Sequence, residues 1–195
     1  MSKGQGQFIL VTLVGNINKI AVPVSRIFSI YQNDAATKTY IRYIGAKKPD
    51  EIVESITTVF NQQNVTLNNL NMILTTNVDT GRKVIYFTQH IEQMVEIGAS
   101  NTKIMFEDAR YGNVIANESI TTIYAYQSTN KNLGLLLVTG KDDGKKRIIT
   151  TCEIKSIYPY PNDAGPVTGS ILSFPSNDRL IVNETPLQIY TNQPK

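Results

Sequence analysis

The sequence predicts a mainly β fold with short helical turns: three small antiparallel β units in tandem, arranged with pseudo-threefold symmetry. Three observations carry this. A hexapeptide, Glu54-Ser55-Ile56-Thr57-Thr58-Val59, returns at Glu118-Ser119-Ile120-Thr121-Thr122-Ile123 and, in altered form, at Glu184-Thr185-Pro186-Leu187-Gln188-Ile189, each followed by an aromatic residue (Phe60, Tyr124, Tyr190). Other columns recur with nearly the same offset: Lys19, Lys83 and Lys146, and Ile27, Ile91 and Ile154, the isoleucines each with an apolar partner three residues on. The chain is also rich in Thr, Tyr, Ile and Val, which favour strands, and in Asn, Asp and Gly, which favour turns.

The units are expected at residues 8–63, 70–127 and 132–192, behind a polar, flexible arm at 1–7 that lacks the apolar stretch and cleavage site of a secretory signal. In the first unit, residues 8–14 form an apolar run that suits a buried strand. Residues 15–18 are a turn. Residues 19–30 read as one strand, with Pro23 marking an edge or bulge. Asn33-Asp34 turns the chain into 39–44, which alternates as a half-buried strand does. A polar hairpin loop covers 45–50. A fourth strand starts at Ile52, and Ser55 caps a helical turn with Ile56, Val59 and Phe60 on one side.

The second unit repeats this with strands at 72–76, 83–97 and 102–106, a turn at Asp79-Thr80-Gly81-Arg82, and Val114-Ile115 leading into Glu118. The third has strands at 135–138 and 170–174, a turn at Asp142-Asp143-Gly144-Lys145, and an insertion at 159–166 that lengthens a hairpin tip. Linkers at 64–71 and 128–132 are short and polar, so neighbouring units should touch. A unit of this size buries too little to be stable alone, which favours closure around a shared axis.

Composition narrows the function classes. No apolar run reaches the roughly 18–20 residues of a membrane-spanning helix. The net charge of +3 is scattered, which is too weak a footprint for a nucleic-acid partner. The single Cys152 forbids an intramolecular disulfide and fits a reducing compartment or indifference to redox.

Few residues suggest chemistry. His90 is the only histidine, so it cannot join a multi-histidine metal site, and it reads as a surface or interface residue. Cys152, between Thr151 and Glu153, matches no nucleophile motif and reads as a half-buried strand cysteine. The recurring Glu54, Glu118 and Glu184 could ring an axis around a cation. The preferred reading is structural, a carboxylate favouring a helix N-terminus at a strand-to-helix junction. Asp142-Asp143-Gly144 lacks the spacing of a calcium loop. Asn64-Val65-Thr66 matches the glycosylation pattern and is expected to be idle. No glycine-rich phosphate loop or Ser-His-Asp set can be assembled. The expectation is therefore no catalytic, cofactor or metal site, and no enzyme.

Two resemblances add to this. The course through Gly81, Ile91, Thr102-Lys103-Ile104 and the segment from Val114 to Ile120 resembles the FlbD-like small flagellar proteins over about 45 residues per unit. That family implies a small β-rich shape. In size, Asn/Thr/Ile-rich composition and tandem β units, the whole chain is similar to auxiliary capsid proteins of crAss-like tailed bacteriophages. That resemblance implies a structural virion protein, assembled in the host cytoplasm, that binds and stabilises the major capsid lattice and contacts head-fibre or other virion proteins. A ring, adaptor or other tail component belongs to the same class. The alternative from another class is a nucleic-acid-binding module, with Tyr31, Tyr40, Tyr43, Tyr86 and Tyr111 as stacking residues and Arg42, Lys47 and Lys48 as basic ones.

Overall fold

A computed structural model of the chain describes residues 7–64, 70–129, 134–161 and 165–191. Nearly all of the expected N-terminal arm, most of both linkers, the centre of the 159–166 insertion and two residues of the Asn64-Val65-Thr66 motif lie outside the described residues.

The protein is mainly β, built from small antiparallel sheets with short helices. One order of elements occurs three times. It begins with a hairpin of β1 (Phe8–Val11) and β2 (Ile20–Pro23), followed by a 3-10 turn at Val24–Arg26. Then come β3 (Ile27–Gln32), β4 (Thr39–Tyr43), β5 (Asp50–Ile52) and helix α1 (Ile56–Phe60). The second pass runs β6 (Met72–Thr76), β7 (Lys83–Phe87), a 3-10 turn at Thr88–His90, β8 (Ile91–Ile97), β9 (Asn101–Phe106), β10 (Val114–Ala116) and α2 (Ile120–Thr129). The third runs β11 (Leu135–Thr139), β12 (Lys146–Thr150), a 3-10 turn at Thr151–Glu153, β13 (Ser156–Tyr160), β14 (Gly169–Ser173), β15 (Arg179–Val182) and α3 (Pro186–Thr191).

Two sequence expectations are corrected. Residues 19–30 and 83–97 are not single strands, because a 3-10 turn divides each. Pro23 is not the reason, since Phe87 and Thr150 stand at that position in the later passes. The turn lets the chain leave one sheet and enter another: β7 pairs with β3, while β8 belongs to a different sheet. Residues 8–14 are likewise not a fully buried strand. β1 stops at Val11 and alternates, with Ile9 and Val11 in the core and Phe8 and Leu10 outside, because only one face of the hairpin is packed.

The sheets run across the boundaries between repeats. The first five-stranded sheet has the order β5-β4-β3-β7-β6, so the opening hairpin of the second repeat completes the sheet of the first. The second has the order β10-β9-β8-β12-β11 and repeats that arrangement. Two smaller sheets remain, β1-β2 and β13-β14-β15. By contacts the chain accordingly divides into Met1–His90 with Ile115–Asn117, and Ile91–Val114 with Glu118–Lys195.

In the first of these units, Ile9, Val22, Ile30, Ile41, Ile56 and Val59 meet Leu70, Met72, Ile85 and Phe87 from the following repeat in one core. In the second unit a core gathers Leu136, Val138, Ile149, Leu172, Val182 and Ile189. Gly169 opens β14 where a Cβ would lie 2.2 Å from the Val182 carbonyl oxygen, so only glycine fits against β15 there.

Candidate interaction surface

The recurring hexapeptides fall in matching local structures. Ser55 caps α1 by accepting a hydrogen bond from the Thr58 N–H, and Ser119 does the same for the Thr122 N–H. At α3, Thr185 Oγ1 accepts from the Gln188 N–H. Before each helix the chain bonds back to the end of its repeat's first strand: Val53 N donates to Thr12 O, Asn117 N to Thr76 O, and Asn183 N to Thr139 O.

The carboxylates do not gather as cation ligands. Glu54 accepts from the backbone N–H and hydroxyl of Thr12, at 2.8 and 2.9 Å, and Glu184 accepts from the Thr139 N–H. The Glu118 and Glu184 carbonyls accept from the hydroxyls of Thr102 and Ser170. Each junction thereby ties a strand end to the start of a helix. Among the described residues, no group of three His, Cys, Asp or Glu side chains could hold a metal ion.

His90 and Cys152 occupy neighbouring columns of the same 3-10 turn in different repeats. His90 is partly buried beside Gln89, whose amide nitrogen lies 3.2 Å from its Nε2. Burial lowers its pKa, and a hydrogen bond with the Ile27 backbone opposes that shift. Cys152 is exposed on its turn rather than half-buried in a strand, because the turn stands outside both flanking sheets. Desolvation of the sulfur, followed by the nearby Glu153 and Glu107 carboxylates, pushes the thiol above its ordinary pKa. That is opposite to the shift that activates a nucleophile. Asp143 accepts from both Arg147 terminal nitrogens at 2.8 and 2.7 Å, and this pairing holds its carboxyl well below the usual range. The Asp142-Asp143-Gly144 segment is thus a hairpin turn fixed by an ion pair.

Of the tyrosines named as stacking residues, Tyr31, Tyr40, Tyr43 and Tyr111 are half-buried and Tyr86 is buried. Tyr43 packs against the core. Tyr31 and Tyr40 stack on each other across β3 and β4, with ring centroids 5.6 Å apart.

Two strand edges stand where the framework elsewhere joins one repeat to the next. β2 has one strand neighbour, β1, and β13 has one, β14. Beside β2 lies an open cleft of about 500 Å³, lined by Ala21, Val22, Pro23, Arg26, Tyr43 and Ile44. A second shallow cleft, about 340 Å³, lies in the other unit among Glu92, Gln93, Arg147, Asp178 and Arg179. Sequence reading missed both edges. The recurring columns held the signal, but it becomes readable only once the partners of β3 and β8 are known.

No protein-family model matches the chain, nor does any curated protein or solved structure. No helix among the described residues is long and apolar enough to cross a membrane.

Proposed function

We propose that this chain is a structural virion protein of a tailed phage, an auxiliary capsid protein that binds and stabilises the lattice of the major capsid protein. In this reading its three tandem β units follow a pseudo-threefold arrangement that one chain leaves open at the third junction, a shape suited to the threefold and quasi-threefold points of a shell. One observation carries the reading: a single local framework of two-stranded hairpin, three strands and capped helix is used three times. Such repetition offers equivalent surfaces to equivalent neighbours, and many weak contacts then sum to firm attachment. The side chains that recur, Glu54 and Glu184 above all, are spent on holding the framework. A ring, adaptor or other tail-associated role uses the same properties and is the second reading within this class.

The test is mass spectrometry of purified phage particles. The expected result is this polypeptide at a fixed copy number relative to the major capsid protein. Its absence from intact particles, with abundance in the infected cell, would overturn the proposal.

A further inference from the structure

We infer that β2 of one copy pairs antiparallel with β13 of a second copy, head to tail, forming between chains the junction that forms twice within each chain. This does not depend on the virion reading, since it concerns the purified protein alone.

The register follows from the two internal junctions. In the first, Ser29, Ile30 and Tyr31 face Tyr86, Ile85 and Val84. In the second, Gln93, Met94 and Val95 face Ile149, Ile148 and Arg147. The repeat columns make Ser156, Ile157 and Tyr158 the third set on one side, and Val22, Ala21 and Ile20 the missing set on the other. The third junction therefore places Ser156 opposite Val22, Ile157 opposite Ala21 and Tyr158 opposite Ile20. Both halves of it exist, as the separate sheets β13-β14-β15 and β1-β2. Pro23 and Pro159, which lack an N–H, fall outside this three-residue register.

Burial points the same way. Ile30, Ile85 and Met94 are 0% exposed and Ile148 is 1% exposed at the internal junctions. Their counterparts at the open edges are not covered: Ile157 is half-buried and Ala21 is exposed. The opposite edges of the two small sheets are already engaged. On β1, the Leu10 N–H donates to Gln62 Oε1 at 2.9 Å and Gln62 Nε2 donates to the Leu10 carbonyl at 2.7 Å. On β15, Val182 bridges to Gly140. An edge with backbone groups to offer and apolar side chains beside it is a template for another strand. Each of these two edges is the complement of the other, and they lie at opposite ends of the chain, which is the arrangement of a heterologous contact between copies.

The experiment is disulfide trapping in full-length protein with Cys152→Ser. Directly opposed residues of antiparallel strands have Cα atoms about 4.5–5.5 Å apart, within disulfide reach. Ala21→Cys protein mixed with Ile157→Cys protein should give a covalent dimer under mild oxidation, and neither variant alone should do so. No dimer in the mixture, or equal dimer from one variant alone, would overturn the inference. So would a double variant that closes within one chain. As a second readout, sedimentation of the unaltered protein should show association that rises with concentration and is lost in Ile157→Lys. Association that is absent, or unchanged by that substitution, contradicts it.

Discussion

Glu54 shows how a single side chain can define the unit. Its carboxylate takes two hydrogen bonds from Thr12, 42 residues earlier, while the adjacent Ser55 caps α1. The pair fixes both the end of the first strand's course and the start of the helix. Bonds to a charged acceptor are worth about 1.5–3 kcal/mol when broken in a partly buried setting. Glu54→Ala should therefore lower unfolding stability by about that amount, with Glu54→Gln losing less because it keeps an acceptor; chemical denaturation measures both. Ser55 as a cap was legible in the sequence because its partner lies three residues away. The Thr12 contact was not, because a local pattern carries no information about which distant strand end will be adjacent. Cys152 was misplaced for a related reason: its neighbours have strand propensity, and the transfer of the chain between sheets overrides it.

At the scale of elements, most strands of the first two repeats and the helical turn capped by Ser55 were legible, since alternation and turn residues mark them directly. The undivided strands expected at 19–30 and 83–97 were one error, and β12, β13 and β15 of the third repeat were not singled out. An apolar run looks the same whether it stays in one sheet or passes between two. Partnership of strands was also hidden. β3 of the first repeat lies beside β7 of the second, with Ile30 opposite Ile85, so a repeat defined by sequence is not a closed packing unit. A fragment of residues 1–63 lacks Leu70, Met72, Ile85 and Phe87, four members of the core around Ile30 and Ile41. It should show no cooperative thermal transition by circular dichroism. A fragment of residues 1–90 restores β6 and β7 and should regain one; equal behaviour of the two fragments would refute the shared-sheet account.

For the whole molecule, recurrence of the hexapeptide announced the tandem organisation, yet nothing in composition or spacing disclosed how one repeat grips the next. That grip is a strand pairing used twice inside the chain, which leaves one half of the same pairing at each end. The account turns on the third use being supplied by a neighbouring copy. Amide hydrogen exchange across a dilution series tests this most directly. Ile30 and Ile85, which face each other inside the first junction, should stay protected at every concentration, whereas the amides of Ala21 and Ile157, which face outward from β1 and β14, should gain protection only as the protein is concentrated. Protection at Ala21 and Ile157 that is strong and independent of concentration, or that never appears, would contradict it.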